Sequence, residues 1–330
     1  MFTSDVPEHV IDLNRSEETR WADVIAVEHA NAARLIERAA DDLARVPRVC
    51  RWAFGKLYQA FGGLYQGELK SWAGALGIST GTITMLNCLY ELSHLPFGCT
   101  AGIRHLDGGF VHVRTLDWPI AGMGTATRLF RFRRGSREFV SIGVPGQVSV
   151  LSGMLPHGYS VTINWAPPAG FPTFDFGPSF LLRDVLETCD TYSAAVERLA
   201  HTPLSASVFF TVCGIEPDEA CVIERTRKDV AIRPLEGPVL VQANHHRVEK
   251  FSRNNDAIRQ VPPEEEVFSL DGSTKRVNIL QSALAALPAN STPENASAPL
   301  AIPTVFNSQT IQKMVFCPQT GELKLWRLVD

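Results

Sequence analysis

The sequence predicts an α+β protein in which two packed antiparallel β-sheets lie between helices, with a helical segment in front of them. Three observations support this fold class. Apolar residues recur at helical spacing before Cys99, the pattern changes to short alternating runs at Cys99, and two helical stretches interrupt those runs further on. With 330 residues, the chain suits one large unit with an N-terminal appendage.

The composition is that of a globular protein with a sizeable core, at 45% hydrophobic and 20% charged residues. A net charge of −4 without a basic run argues against a nucleic-acid partner. No apolar run is long enough for a transmembrane helix. The polar, acidic start MFTSDVPEHVIDLNRSEETRW is unlike a signal peptide, so we expect a cytoplasmic protein with a bacterial origin.

The cysteines argue against a disulfide framework and against a metal site. They form an odd, scattered set without a C-x-x-C pair. The seven are Cys50, Cys88, Cys99, Cys189, Cys213, Cys221 and Cys317. We therefore predict no metal and ask instead whether one thiol has a special setting.

The region before Cys99 is predicted to be all helical. Ser16 with the two following glutamates makes an N-terminus, Pro47 interrupts, and a third helical segment runs up to Pro96. The large apolar residues of the middle segment allow two interpretations, a helical core or a face that touches lipid. They are Trp52, Phe54, Leu57, Tyr58, Phe61 and Tyr65.

The region from Cys99 onwards is predicted to consist mainly of strands. The turn Asp107-Gly108-Gly109 joins CTAGIRHL to FVHVRTLDW in a hairpin. Further strands are TRLFRFRR, EFVSIGVP, VSVLSGML, YSVTINW, SVFFTVCGI, ACVIERT, VAIRPLE and PVLVQAN, with a last hairpin in TIQKMVFCPQTGELKLWRLV. Helices are expected over PSFLLRDVLETCDTYSAAVERLA, with a break at Asp190 or Thr191, and over residues 248–260 and 273–287.

The first hairpin places Cys99 next to two charged residues. With the turn near Gly108, antiparallel pairing puts Cys99 opposite Leu116 and Asp117, and Arg114 lies on the same partner strand. The residues alone leave two interpretations open. Either Cys99 is a core residue beside a surface ion pair, or the cation favours the thiolate of a reactive cysteine.

A family resemblance is carried by LNCLYELSHLPFGCTAGIRHLDGGFVHVRTLDW. This stretch resembles the processing site of acid ceramidases and N-acylethanolamine-hydrolyzing acid amidases, which are N-terminal-nucleophile hydrolases of the choloylglycine-hydrolase branch. The branch pattern L-N-x-x-Y-E, then Cys-Thr, then R-x-x-D is matched by Cys99 and Thr100 and by Arg114 and Asp117. Further similar blocks include VPEHVIDLN, LYQGEL, ACVIERTRKDV and VLVQANHHR.

The resemblance implies the αββα sandwich of N-terminal-nucleophile hydrolases, with a helical pro-segment. The chain would cut itself between Gly98 and Cys99, giving an α-subunit of residues 1–98 and a catalytic β-subunit of residues 99–330 that remain together as a heterodimer. The freed Cys99 would attack an amide carbonyl with its own α-amino group as the base. No metal or organic cofactor would be needed.

The resemblance also implies roles for particular residues. Asp117 would hold the amine, Arg114 would support the thiolate and the substrate, and Asn244 would bind the oxyanion. Asn164 is a further oxyanion-side candidate, and Arg253 corresponds to a second arginine of the family. The chain departs from the family at Trp165, which stands where the animal enzymes have a glutamate.

The implied substrate is a long-chain N-acyl amide of the N-acylethanolamine or ceramide type. Trp118, Trp165 and Phe54 are the predicted substrate-binding residues, and peripheral membrane contact is expected of the aromatic α-segment. Two alternatives remain open at this point: an amidase like bile-salt hydrolase or penicillin-V acylase, and an uncleaved protein that only binds an acyl lipid or a membrane.

Overall fold

The structure of the chain, a computed structural model, contains two stacked β-sheets. It describes residues 1–39, 46–60, 62–88, 98–170, 173, 175–258 and 268–329. The six-stranded sheet has, in spatial order, β1 (Phe2–Thr3), β14 (Glu322–Leu328), β13 (Thr310–Cys317), β4 (Gly109–Asp117), β3 (Gly98–Leu106) and β12 (Val239–Gln242). The eight-stranded sheet has β11 (Val230–Pro234), β10 (Ala220–Arg225), β9 (Val208–Cys213), β8 (Tyr159–Trp165), β7 (Ser152–Leu155), β6 (Arg137–Gly143), β5 (Arg128–Arg134) and β2 (Glu8–Asp12).

The described helices lie before Cys99 and on the outer faces of the sheets. Those before Cys99 are α1 (Ala22–Arg38), α2 (Arg48–Ala60), α3 (Gln66–Leu76) and α4 (Thr80–Asn87). Those after it are α5 (Pro178–Thr188), α6 (Tyr192–His201), α7 (Leu270–Ala285) and α8 (Pro293–Ser297), with 3-10 helices over Glu249–Ile258 and Ala298–Ala301.

The layer order is helix, sheet, sheet, helix, as the sequence predicts. Helix α7 contacts β3 and β12, whereas α5 and α6 contact β7 to β10 of the other sheet. Strand β3 also contacts β8 and β9 across the sandwich. Apolar side chains of facing strands, such as Ile103 and Phe209, share one buried cluster. Cys99 therefore enters the body of the protein on a strand that is covered on both faces.

The predicted hairpin and the predicted helix break are confirmed, because the sequence has a clear turn or cap residue at each of them. The hairpin of β3 and β4 pairs from Gly98 with Asp117 to Leu106 with Gly109. The long predicted helix breaks before Tyr192, because the Thr191 hydroxyl accepts from the Ala194 amide at 3.2 Å. Residues 249–258 are helical as predicted, but in 3-10 geometry.

The N-terminal segment corrects the prediction of an all-helical region. Besides four helices it contains β1, which pairs with β14, and β2, which pairs in parallel with β5. The second sheet is therefore mixed rather than wholly antiparallel. The N-terminal segment therefore contributes one strand to each sheet.

Within the predicted strand VSVLSGML, only the stretch Ser152–Leu155 forms a strand.

Part of the third predicted helix, residues 89–97, lies outside the described residues. Within the described ranges, no helix combines the length and the apolar character needed to span a bilayer.

Candidate active site

The β3–β4 hairpin brings a thiol, a guanidinium and a carboxylate to one end of the six-stranded sheet. Cys99 pairs with Leu116, Gly98 with Asp117 and Ala101 with Arg114. Cys99, Arg114 and Asp117 are all fully buried. Because residues two apart on a strand share a face, Cys99 and Arg114 face the second sheet, and Asp117 lies on the opposite face.

Arg114 is a buried cation whose hydrogen bonds to the described residues end on uncharged protein atoms or on the thiol. It donates to the carbonyls of Leu151 and Ile163 and to the Ser152 hydroxyl. Its Nη2 lies 3.5 Å from the Cys99 Sγ. The positive charge is therefore directed at the sulfur and is available to a thiolate or to negative charge that develops beside it.

A neutral histidine lies on the same face of β4 as Arg114. The His112 ring lies between the hydroxyls of Ser160 at 2.9 Å and Thr162 at 3.1 Å. Burial and the nearby Arg114 charge lower the pKa of His112 to about 3. His112 therefore does not compete with Arg114 for negative charge and serves as a polar bridge between the two sheets.

Asp117 is a buried carboxylate with two fixed donors. Thr310 Oγ1 donates to its Oδ1 at 2.7 Å and Asn307 Nδ2 to its Oδ2 at 3.0 Å. Burial raises the pKa of Asp117, against the lowering effect of Arg276 and of these two donors. A Cβ on Gly98 would lie 2.7 Å from Asp117 Oδ2, so the carboxylate is packed against the residue before the thiol.

Asn244 and Arg276 hold the backbone of Cys99. The Cys99 N–H donates to Asn244 Oδ1 at 3.0 Å, and Arg276 Nη1 donates to the Cys99 carbonyl at 2.7 Å. Arg276 also donates to Thr100 Oγ1 and to Asn244 Oδ1, each at 2.9 Å. Asn244 Nδ2 donates to the Trp165 carbonyl at 2.9 Å and keeps a second hydrogen for another acceptor.

Among the described residues, the second arginine that contacts Cys99 is Arg276, whereas the predicted Arg253 stays a prediction without such a contact. Arg253 lies on the 3-10 helix after β12 with an exposed side chain. Arg276, on α7, is fully buried and reaches through the sheet edge to Cys99. No local motif marks Arg276, and the only sequence signal is an arginine among the apolar positions of a helix.

The turn that carries Asn244 is fixed by neighbouring polar groups. Ser273 Oγ accepts from the Asn244 N–H at 2.9 Å and lies 2.7 Å from His245 Nδ1. Burial and nearby arginines lower the pKa of His245 to about 4, so this ring is neutral near pH 7. His246 Nδ1 lies 3.2 Å from Glu224. These contacts assign both histidines to the scaffold.

Asn164 and Trp165 lie beside this turn. Asn164 is buried and donates from Nδ2 to the carbonyls of Gln242 and Ala243, both at 3.2 Å. Its amide nitrogen therefore supports the strand that leads to Asn244. Trp165 is also buried and contributes its carbonyl to Asn244.

An apolar cavity of about 90 Å³ lies between the N-terminal helices and the sheets. Its lining includes Leu35 and Ile83 from the N-terminal segment and Trp118, Ile120 and Leu151 from the body. One lining residue, Leu151, also accepts a hydrogen bond from Arg114, so the cavity and the thiol share a neighbour. Of the three predicted substrate-binding residues, only Trp118 lines it.

Phe54 does not lie on an exposed surface, which favours the helical-core interpretation for this residue. It is half-buried on α2 and packs against the main core cluster. The opposite face of the same helix is exposed, with Val49, Trp52 and Leu57 at 66%, 58% and 40% exposure. Helical spacing puts Phe54 on the inner side and these three on the outer side.

The described residues contain no group of three His, Cys, Asp or Glu side chains arranged to hold a metal ion. The residues gathered around Cys99 are a thiol, two arginines, a carboxylate and an amide. Together with the αββα layers, they define a class of protein: a sandwich with a buried cysteine at the start of a central strand.

The chain belongs to the family described as acyl-coenzyme A:6-aminopenicillanic acid acyl-transferase, whose model matches residues 106–298. Among curated relatives, the N-acylethanolamine-hydrolyzing acid amidase of Caenorhabditis elegans is 28% identical over 251 residues, 69% of this chain and 70% of that protein. Acid ceramidase of Heterocephalus glaber is 27% identical over 285 residues, covering 74% and 71%.

A solved structure shows the same fold. The C. elegans N-acylethanolamine-hydrolyzing acid amidase ortholog superposes with a TM-score of 0.56 at 22% identity, covering 70% of this chain and all of that one. The chain therefore has the αββα fold of N-terminal-nucleophile hydrolases, as the sequence predicts.

Proposed function

We propose that this protein is a self-cleaving amidase that hydrolyses N-acyl lipids through the thiol of Cys99. One observation carries the proposal: separate groups contact the nitrogen, the carbonyl oxygen and the sulfur of this single residue. They are Asn244, Arg276 and Arg114. Any buried residue needs partners for its backbone groups, but a structural cysteine does not need a cation beside its sulfur.

The first step is cleavage before Cys99. The Cys99 sulfur attacks the Gly98 carbonyl carbon, the Gly98–Cys99 carbon–nitrogen bond breaks, and the nitrogen takes the thiol proton. Water then hydrolyses the resulting thioester, which leaves a carboxylate on Gly98 and a free thiol and amine on Cys99. Residues 1–98 and 99–330 would remain associated, because the N-terminal strands belong to both sheets.

The second step uses the freed amine. An α-amino group titrates near pH 8, so it can take the thiol proton as the sulfur attacks a substrate carbonyl. Asn244 Nδ2 and Arg114 are the donors closest to the charge that develops. The substrate amine leaves with the proton, and water hydrolyses the thioester to a carboxylic acid. Asp117 orients the α-amino group throughout.

The substrate class follows from the apolar cavity and from the relatives. A cavity lined by Leu35, Ile83, Trp118 and Ile120 suits an alkyl chain, and its lining residue Leu151 is hydrogen-bonded to Arg114, beside which the scissile carbonyl would lie. Two of the matched relatives are named for the hydrolysis of N-acylethanolamines and ceramides. We therefore assign a long-chain N-acyl amide to this protein.

The exposed face of α2 would present the protein to the lipid phase. Val49, Trp52 and Leu57 form an apolar patch with Lys56 among them, a composition that suits the headgroup region of a bilayer. The contact would be peripheral.

The proposal is tested by incubating the purified protein with a long-chain N-acylethanolamine, a ceramide, a bile-salt conjugate and penicillin V. We expect release of the fatty acid from the first two, no release by Cys99→Ala, and full activity of Cys50→Ala, which changes an exposed thiol. Hydrolysis of only the last two substrates would favour the bile-salt and penicillin class. Activity that survives Cys99→Ala would refute the mechanism.

A further inference from the structure

The turn of residues 307–310, where β13 begins, donates two hydrogen bonds to the carboxylate of Asp117, which the proposed reaction needs. We propose that Asn307 and Thr310 are positioning residues. Together they form a clamp that holds Asp117 in the orientation that receives the amine of Cys99. This inference rests on the proposed function and concerns how the base of that reaction is held.

The hydrogen-bond directions within the turn are determined. Thr310 Oγ1 accepts from the Asn307 N–H at 3.0 Å, so its one proton is left for Asp117 Oδ1 at 2.7 Å. Asn307 Oδ1 accepts from the Gln309 N–H at 2.9 Å, which turns Nδ2 towards Asp117 Oδ2 at 3.0 Å. Each carboxylate oxygen therefore has its own donor.

The backbone is built to bring these donors to Asp117. The pairing of β13 with β4 runs from Thr310 opposite Asp117 to Gln312 opposite Leu116, so Ile311 is an extra residue in a β-bulge. Bulges redirect side chains and are frequent beside active sites. The Gln309 carbonyl also accepts from the Trp118 N–H at 2.8 Å, which ties the turn to the residue after Asp117.

The remaining side of the carboxylate faces the bond to be cut. A Cβ on Gly98 would lie 2.7 Å from Asp117 Oδ2, so this residue has to be glycine while the chain is whole. Once Gly98 leaves, that side of Asp117 opens to the new amine. The N–H of Cys99 already donates a hydrogen bond to Asn244 Oδ1.

The clamp also acts on the charge of Asp117. Among the described residues, Arg276 on α7 and Arg114 on β4 are the cations that act on it, and both favour the ionised form. Burial favours the protonated form of Asp117 and raises its pKa, whereas the hydrogen bonds from Asn307 and Thr310 favour the ionised form and lower it. Removal of either donor should therefore raise the pKa of Asp117.

The test compares Thr310→Val, which keeps the shape but loses the hydroxyl, with Thr310→Ser, which keeps it. Asn307→Ala is the second variant, and Ser308→Ala, an exposed position in the same turn, is the control. For the cleaved enzyme acting on a long-chain N-acyl amide, we expect kcat per N-terminal cysteine to fall about tenfold in Thr310→Val and Asn307→Ala, with KM unchanged. Thr310→Ser and Ser308→Ala should retain the activity.

A titration that needs no turnover accompanies the kinetics. Carbon NMR of protein labelled at the aspartate carboxyl carbons, with Asp117→Asn for assignment, should show a higher pKa for Asp117 in Thr310→Val than in Thr310→Ser. Equal kcat and equal titration in these two variants would overturn the clamp and leave the proposed function intact. A wild-type protein that hydrolyses no amide would overturn the proposed function, and the titration alone would then decide the clamp.

Discussion

Two buried arginines of this protein have opposite surroundings. Arg183 and Arg114 are both fully buried. Arg183 donates two hydrogen bonds to Glu68, at 2.9 and 3.0 Å, and lies over the rings of Tyr65 and Phe132. Arg114 instead reaches carbonyls, a hydroxyl and the Cys99 sulfur. Within the described part of the chain, a carboxylate pairs with the charge of Arg183, and no carboxylate hydrogen-bonds Arg114.

This difference distinguishes buried ion pairs that hold the fold together from the buried arginine that would take part in the proposed reaction. Glu68 comes from the N-terminal segment and also accepts from Arg20 and Trp21, so its ion pair with Arg183 joins that segment to the body. A second buried pair, Glu28 with Arg128, does the same at another position. Among the described residues, paired charges thus join the N-terminal segment to the body, whereas the guanidinium beside the thiol hydrogen-bonds no carboxylate.

The largest effect should come from Arg114. We expect Arg114→Met to lower the rate of amide hydrolysis by about 10²–10³, because a donor to developing negative charge is lost. Melting temperature and turnover are to be measured for the same samples. The matched change Arg183→Met should give the reverse pattern, with a destabilised fold and normal turnover in the folded fraction. Similar turnover losses in both variants would refute the distinction.

The next effect concerns stability. Glu68→Gln should lower the free energy of unfolding by about 3–5 kcal/mol, because Arg183 and Arg20 are left buried without their carboxylate. Denaturant unfolding measures this change. Glu138→Gln, which breaks partly exposed pairs with Arg131 and Arg133, serves as the control and should cost less than about 1 kcal/mol.

These contrasts show how much of the molecule the sequence could predict. The hairpin at Cys99 is local, because Asp107 and Gly108 set the turn and the turn sets which residues face each other. Strands β1 and β2 were missed, since they are short and their partners β14 and β5 lie far along the chain. Their pairing is decided by packing and not by local pattern.

The same reason explains why the sequence does not point to Arg276. A family block suggests Arg253, whereas Arg276 reaches Cys99 only because α7 packs on β3. Helical spacing revealed the aromatic stripe of α2 but not which side faces the core. That choice, which puts Phe54 inside and Trp52 outside, depends on the helices around it.

A third prediction concerns acid. Burial would raise the pKa of Glu28, but hydrogen bonds from Arg128, Asn31 and His9 outweigh it and lower the pKa below 4.5. A lowered pKa gives stability that is present above the unfolded value and is lost as pH falls through the folded value. Glu28→Gln should therefore flatten the loss of melting temperature between about pH 5 and pH 3. An unchanged slope would contradict this.

The smallest effects are expected on α2, where a substitution on the exposed side is compared with one on the inner side. Trp52→Ser should change stability by less than about 0.5 kcal/mol and should reduce activity on N-acyl lipid in vesicles but not on a soluble short-chain amide. Phe54→Ala should cost about 1–2 kcal/mol through lost burial. Equal loss on both substrates in Trp52→Ser would refute the lipid-facing role of this patch.

The most direct test of the central claim is the intact mass of the purified chain at neutral and acidic pH, beside Cys99→Ala. The account predicts two fragments of roughly 11 and 25 kDa in the wild type, the larger beginning at Cys99, and a whole chain in the variant. A wild-type chain that stays whole under every condition, or a cut that persists in Cys99→Ala, would contradict it.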